Sequence, residues 1–169
     1  MAIIKKNFWS GKNGPLMIAE IGGNHEGNFN YAKKLTKQAI KSGADVVKFQ
    51  LYSGDGIVNK NISPDRNLHF KKFQLTKEQH IFLAKMCIKS GVQYNASIWE
   101  PEMINWVDRY LKFYKIGSGD LTAYPIIKEF TKRGKPILLS TGLSNLSEIK
   151  DTINFIKKSN SAYKKKNMI

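Results

Sequence analysis

The chain has 169 residues, enough for one domain with a real core but short of the roughly 250 residues of a complete eight-stranded α/β barrel. Its 41% hydrophobic and 24% charged residues are ordinary for a soluble globular protein, and no apolar run approaches the roughly 18–20 residues that cross a bilayer. The net charge of +15 is almost all lysine, with Arg66, Arg109 and Arg133 the only arginines, and the lysines are spread over helix faces. That pattern argues against base readout in a nucleic acid and for a solvated surface that helps draw in an anionic substrate.

Met1-Ala2-Ile3-Ile4-Lys5-Lys6 lacks the apolar core of a signal peptide, so a cytoplasmic location is expected. The first strand-like run is Leu16-Met17-Ile18-Ala19-Glu20. After Asn28, a plausible N-cap, Ala32, Leu35, Thr36, Ala39 and Ile40 repeat with helical spacing. Val46-Val47-Lys48-Phe49-Gln50 is the second strand. From Leu51 to Gln74 little periodicity remains, and a connection of that length at a strand's carboxyl end is expected to be an active-site lid, with a disordered stretch as the alternative. A second helix opens at Thr76 with Gln79 as a capping box and turns Ile81, Ala84, Cys87 and Ile88 inward, which makes the single cysteine a buried structural thiol. Gln93-Tyr94-Asn95-Ala96-Ser97 is the third strand. A short helix after Pro101 carries Met103, Trp106 and Val107. Phe113 to Asp120 holds the fourth strand, Ile126, Ile127 and Phe130 mark a helix, and Pro136 to Gly142 holds the fifth strand. A last helix starts near Asn145, with Glu148 three residues on, and carries Ile149, Ile153 and Ile156. The tail Lys164-Lys165-Lys166 is a surface run.

Lys41-Ser42-Gly43, Lys89-Ser90-Gly91 and Lys132-Arg133-Gly134 each end a helix and precede a strand, with lysine in the last turn and glycine as the left-handed cap. Five rounds of strand and helix imply a parallel sheet with right-handed crossovers. A doubly wound sheet satisfies the same pattern. The barrel is favoured because no Gly-x-Gly-x-x-Gly turn follows the first strand and polar residues end every strand. The expected class is therefore α/β, a (β/α)8 barrel type truncated to about five βα units over residues 1–169.

Strand alternation turns Lys48 and Gln50 to the face opposite Val47 and Phe49, and turns Lys115 inward from Tyr114 and Ile116. A lysine inside an apolar strand needs a ligand or a partner. Two such lysines suit a doubly anionic ligand; the alternative is a buried pair with Glu20. Gly117-Ser118-Gly119-Asp120 and Ser140-Thr141-Gly142 offer hydroxyls and free backbone N–H groups for phosphate or carboxylate. Glu20 and Asp120 are carboxylates suited to general base work or to binding substrate hydroxyls. His25 is either a catalytic group or an organiser of its loop.

Ala19-Glu20-Ile21-Gly22-Gly23-Asn24-His25-Glu26-Gly27, Val47-Lys48-Phe49-Gln50, Tyr114-Lys115-Ile116-Gly117-Ser118-Gly119-Asp120 and Lys135-Pro136-Ile137-Leu138-Leu139-Ser140-Thr141-Gly142 closely resemble the N-acetylneuraminate (sialic acid) synthase family, from about Pro15 to the end of the last helix. Legionaminate, pseudaminate and spore-coat polysaccharide synthases share these motifs, so the sugar stays open. The resemblance implies an α/β barrel that condenses phosphoenolpyruvate with an N-acylhexosamine such as N-acetylmannosamine, giving a nine-carbon 2-keto sugar acid and phosphate. It implies a divalent metal, Mn or Mg, that polarises the open-chain aldehyde. By motif match Lys48, Lys115, Ser118 and Ser140 hold the phosphate and carboxylate of phosphoenolpyruvate, with Gln50 beside them. Glu20 acts near carbon 2 and the attacking water. Asp120 stands where relatives often have glutamate, and Ala96-Ser97-Ile98-Trp99-Glu100 departs from a Thr-Pro-Phe turn. The family's metal-binding histidines come from later strands, so the metal ligands are expected outside this chain. Also absent is the C-terminal antifreeze-like domain, which reaches into a partner's active site and implies a homodimer in the full-length family. Asn167-Met168-Ile169 looks like the start of a sixth strand. Activity is thus expected only as part of a longer or complemented chain; the alternatives are a non-catalytic remnant that binds anions and a basic nucleic-acid-binding module.

Overall fold

A computed structural model describes residues 8–165 and 168–169. Met1 to Lys6, Lys166 and Asn167, on which parts of the sequence reading fall, lie outside the described residues.

The chain enters through a small hairpin that the sequence reading missed, β1 (Ser10–Gly11) against β2 (Gly14–Pro15). Two-residue strands leave no periodic signal. The hairpin is held by Asp45, whose carboxylate accepts the backbone N–H groups of Lys12 (2.8 Å) and Met17 (2.9 Å). Glycine is required at position 11, because a Cβ there would lie 2.0 Å from the Asp45 carboxylate oxygen. Trp9 packs edge-on against Phe113 at 5.5 Å, so the hairpin covers the amino-terminal end of the sheet.

The main sheet follows: β3 (Ile18–Gly22), α1 (Phe29–Lys41), β4 (Val46–Leu51), α2 (Gly54–Ile57), α3 (Pro64–Phe73), α4 (Lys77–Lys89), β5 (Gln93–Ile98), α5 (Pro101–Val107), β6 (Tyr114–Ile116), α6 (Tyr124–Thr131), β7 (Ile137–Leu139) and α7 (Leu146–Ser159). Strands β3 to β7 are all parallel and pair in strictly sequential order. A doubly wound sheet reverses its order at a switch point, and this one does not. The expected caps form: Asn28 accepts the Tyr31 N–H, and Thr76/Gln79 and Asn145/Glu148 close capping boxes. Gly43, Gly91 and Gly134 take left-handed φ values of 85°, 70° and 66° after their helices.

One face of the sheet carries the core. Val47, Phe49, Leu51, Tyr94, Ala96, Ile98, Tyr114, Ile116 and Ile137 meet Ala32, Leu83, Ala84, Cys87, Ile104, Val107, Ile127, Phe130 and Ile156 from the helices. Tyr114 stacks on Phe130 with centroids 4.5 Å apart, a contact of about 1 kcal/mol beyond area burial. Cys87 is fully buried, as expected, and burial pushes its thiol up to about 12. Two helices sit slightly rotated from expectation. α4 buries His80 and Leu83 with Ala84 and Cys87, while Ile88 is exposed; α5 buries Ile104 with Val107, leaving Met103 and Trp106 partly covered. Polar His80 fits inward because its Nδ1 meets the Tyr94 hydroxyl at 2.7 Å.

The long connection is folded rather than aperiodic, a second correction. Its helix α3 has no apolar stripe; its one fully buried residue is Asn67, so periodicity gave no warning. The Asn67 amide nitrogen lies 2.8 Å from the Val58 carbonyl, 3.0 Å from the Gly54 carbonyl and 3.0 Å from Asp55 Oδ1. The Gly54 N–H donates to Gln74 Oε1 at 2.7 Å, and Lys71 pairs with Asp55 at 2.8 Å. At the other end of the sheet the Met168 carbonyl accepts the Ile137 N–H at 2.8 Å. The chain thus returns beside β7 where a further strand was expected, although no strand is formed at residues 168–169. Lys164 and Lys165 of the tail are exposed, and among the described residues no helix is long and apolar enough to cross a membrane.

Two predictions follow from these buried polar groups. His80 is almost wholly buried, and burial lowers its pKa from 6.5 to about 3. The unfolded chain takes up that proton first, so stability is full above pH 6.5 and drains away as pH falls toward 3. The urea midpoint therefore drops between pH 7 and pH 5, above the carboxylate range, and His80→Gln flattens that slope; an equal slope in the variant would contradict the assignment. Asn67→Ala strands two buried carbonyls at a cost of about 2–3 kcal/mol. Amide hydrogen exchange should rise over residues 53–73 before it rises in the sheet.

Candidate active site

Register decides which side chains share a face. Lys48 lies opposite Glu20 and Asn95, Gln50 opposite Ser97, and Ser97 opposite Lys115. In parallel strands, residues in one row and residues two apart point the same way. Glu20, Lys48, Gln50, Asn95, Ser97 and Lys115 therefore occupy the face opposite the helix-packed core, near the carboxyl ends of the strands. The two lysines of separate strands converge as the alternation required.

Their partners differ. Lys48 is 5% exposed and its ammonium contacts Glu20 Oε2 at 2.7 Å, so the alternative of a Lys–Glu pair is realised. Lys115 donates to Ser140 Oγ (2.6 Å) and to the Ile116 carbonyl (2.8 Å), and among the described residues it has no ion-pair partner. Burial, then the nearby Lys48 cation, lower the Lys115 pKa, while Glu20 and Asp120 pull it back up. Lys48 is paired with Glu20, while Lys115 is met only by neutral oxygens, with the Asp120 carboxylate within its electrostatic reach. Such a site draws an anion.

The turns after β6 and β7 close around Lys115. Ser118 to Asp120 form one short 3-10 turn, and a Cβ at Gly142 would lie 3.7 Å from Ser118 Oγ, which places the Ser118 hydroxyl against the Ser140-Thr141-Gly142 turn. Asp120 Oδ1 accepts the Trp99 indole N–H at 3.1 Å. Its other oxygen lies 2.8 Å from where a Gly117 Cβ would stand, so Gly117 leaves room for the carboxylate. Gln50 reaches back toward β3, with its Nε2 3.7 Å from a Cβ position at Gly22. All seven expected residues, Glu20, Lys48, Gln50, Lys115, Ser118, Asp120 and Ser140, thus gather at one end of one sheet face.

His25 does not join them. It is buried, its Nδ1 accepts the Gly27 N–H at 3.1 Å, and its ring faces Phe49 on the core side. Burial lowers its pKa, and its hydrogen bond to Gly27 ties the loop together. Gly27 is needed there because a Cβ would strike the Lys72 carbonyl oxygen at 1.9 Å.

The sequence reading passed over several neighbours. Asn95 and Ser97 are buried on the inner face; Asn95 donates to the Phe113 carbonyl at 2.8 Å, and its Oδ1 has no hydrogen-bond partner among the described residues. The alternation that found Lys48 and Gln50 in β4 was enough to find Asn95 and Ser97 in β5. Beside the lysines lies a cleft of about 300 Å³ lined by Gln50, Tyr52, Ile57, Val58, Arg66, Phe70 and Trp99. Arg66 and Phe70 come from α3, which no sequence signal placed there. Glu100 braces the cleft by accepting the Ser53 N–H (2.5 Å) and hydroxyl (3.0 Å).

Comparison with known proteins identifies the family. The chain is 33% identical over 154 residues to N,N'-diacetyllegionaminic acid synthase of Campylobacter jejuni, a match covering 83% of this chain and 46% of that protein. It is 26% identical over 162 residues to human N-acetylneuraminate-9-phosphate synthase, covering 88% of this chain and 45% of that one. Among solved structures, the N-acetylneuraminic acid synthetase of Leptospira borgpetersenii superposes with a TM-score of 0.79 at 23% identity, over 85% of this chain and 50% of that chain, which bears on the fold alone. The chain thus spans about half the length of the relatives it matches or less. The model of the NeuB family matches residues 35–167, and the chain belongs to that family.

Proposed function

We propose that this chain is the phosphoenolpyruvate-binding part of a sugar-acid synthase barrel. In the reaction we infer, phosphoenolpyruvate condenses with an N-acylhexosamine of the N-acetylmannosamine kind to give a nine-carbon 2-keto sugar acid and phosphate. The observation that carries this reading is the Lys115 ammonium, held by the Ser140 hydroxyl and the Ile116 carbonyl rather than by a carboxylate, beside the Lys48–Glu20 pair and the Ser118 turn. Phosphoenolpyruvate brings a phosphate and a carboxylate, and that pattern of cations and hydroxyls suits both. Carbon 3 of phosphoenolpyruvate bonds to the acceptor's aldehyde carbon, whose oxygen takes up a proton. Water adds at carbon 2 and gives its proton to Glu20, which is half exposed and so open to that water. The carbon 2–oxygen bond to phosphate then breaks as the new carbon 2 hydroxyl becomes the ketone carbonyl, and its proton leaves with the phosphate. Asp120 serves as the hydroxyl-binding carboxylate on the acceptor side.

The divalent Mn or Mg ion that the family implies would polarise the acceptor aldehyde. Among the described residues no group of three or more His, Cys, Asp or Glu side chains gathers to hold it. The residues present do not fit that ion by themselves, and its ligands belong to the portion of the family fold beyond this chain. The same reading carries the homodimer and the cytoplasmic setting expected of the full-length family.

A second reading, anion binding without catalysis, rests on the same Lys115 ammonium held by neutral oxygens. Isothermal titration separates the binding claim from the catalytic one. Phosphoenolpyruvate should bind the wild-type chain, and Lys115→Met should weaken it at least about tenfold, the scale of a lost charge-assisted contact. Affinity should also decline as pH rises toward the lowered Lys115 pKa, because the ammonium is lost there. Equal binding by wild type and Lys115→Met would overturn the site. Phosphate release on adding N-acetylmannosamine and manganese would rule out the purely non-catalytic reading.

A further inference from the structure

A carboxylate at the rim of an anion site needs a reason to stay there, because Lys115 lies close enough to attract it. Asp120 makes no ion pair with Lys115 in the structure; its Oδ1 accepts the Trp99 indole N–H instead. Trp99 is fixed from two sides. Its backbone N–H donates to the Leu51 carbonyl at 3.3 Å, and its ring meets Tyr52 edge-on at 5.9 Å. Tyr52 is in turn packed edge-on against Phe70 at 5.5 Å. The next residue, Glu100, ties the same strand end to Ser53. A continuous brace therefore runs from α3 through Phe70, Tyr52 and Trp99 to the Asp120 carboxylate.

We propose that Trp99 is a positioning residue that holds Asp120 toward the aromatic cleft and away from Lys115. Two jobs follow for one side chain. The indole N–H sets the orientation of a short carboxylate, and the indole ring lines the cleft together with Gln50, Tyr52, Arg66 and Phe70. Glu20 stays with Lys48 on the anion side, so the two carboxylates are kept apart by different partners. This inference rests on the reading of Lys115 as the phosphoenolpyruvate cation. It adds that Trp99 keeps Asp120 from neutralising that cation.

Isothermal titration of the chain with phosphoenolpyruvate tests it. Trp99→Phe keeps the ring and removes the N–H, which frees Asp120 to pair with Lys115, so phosphoenolpyruvate affinity should fall about tenfold, the scale of one charge-assisted contact. Asp120→Asn leaves no carboxylate to pair, so affinity should be at least that of the wild type, and adding Trp99→Phe to it should cost nothing further, which also shows that the variants are folded. Unchanged affinity in Trp99→Phe, or the same loss in the double variant as in Trp99→Phe alone, would overturn the proposal and leave the phosphoenolpyruvate reading standing. A wild-type chain that does not bind phosphoenolpyruvate removes that reading and this inference together.

Discussion

The parallel register between β4 and β5 is the constraint on which the rest depends. It is the longest ladder in the sheet, pairing Val46 through Leu51 with Gln93 through Ile98 without interruption. A slip of one residue would drive Lys48 into the aromatic core and turn Phe49 out among the cations. Phe49 stacks on Tyr94 at 5.8 Å and meets His80 edge-on at 6.2 Å, so the core face resists that slip. Hydrophobic packing on one face thus aligns the charged groups on the other. The candidate site owes its geometry to residues on the opposite face of the sheet.

That inner face bears a burden the core does not. Lys48 is buried, and a buried ammonium is tolerable only with a partner. Glu20 supplies it from the neighbouring strand, across a single row of the sheet. Lys115 is left with a hydroxyl and a carbonyl, which solvate the ammonium without neutralising it. The two lysines therefore differ, one paired with a carboxylate and the other met by neutral oxygens with Asp120 within its electrostatic reach. At the opposite end of β6, Lys135 is held by Asp108 and by the Asp108 and Leu111 carbonyls, and Asp108 also accepts the Tyr114 hydroxyl. That network is fully partnered and stabilises the strand's start, in keeping with a division between a stabilising amino-terminal end and a reactive carboxyl-terminal end.

Much of this was legible in the chain because its physics is local. Strand alternation turned Lys48, Gln50 and Lys115 to the right face, and capping residues located the starts of α1, α4 and α7. The failures arose where structure is set by distant partners. The β1–β2 hairpin is anchored by Asp45, about 30 positions on. The helix α3 is organised around one buried asparagine, which an apolar-periodicity search ignores. In α4 a histidine faces inward only because Tyr94 receives it. The link between Trp99 and Asp120 joins two loops whose proximity depends on the sheet order, so no spacing in the sequence announces it.

The account is tested most directly by a crystal structure of the chain soaked with phosphoenolpyruvate. It predicts one ligand whose anionic groups lie within about 3 Å of the ammonium nitrogens of both Lys48 and Lys115, with the Ser140 hydroxyl turned from Lys115 toward the ligand. A ligand bound on the exposed lysines of the outer helices, with the Lys48–Glu20 and Lys115–Ser140 contacts undisturbed, would contradict it.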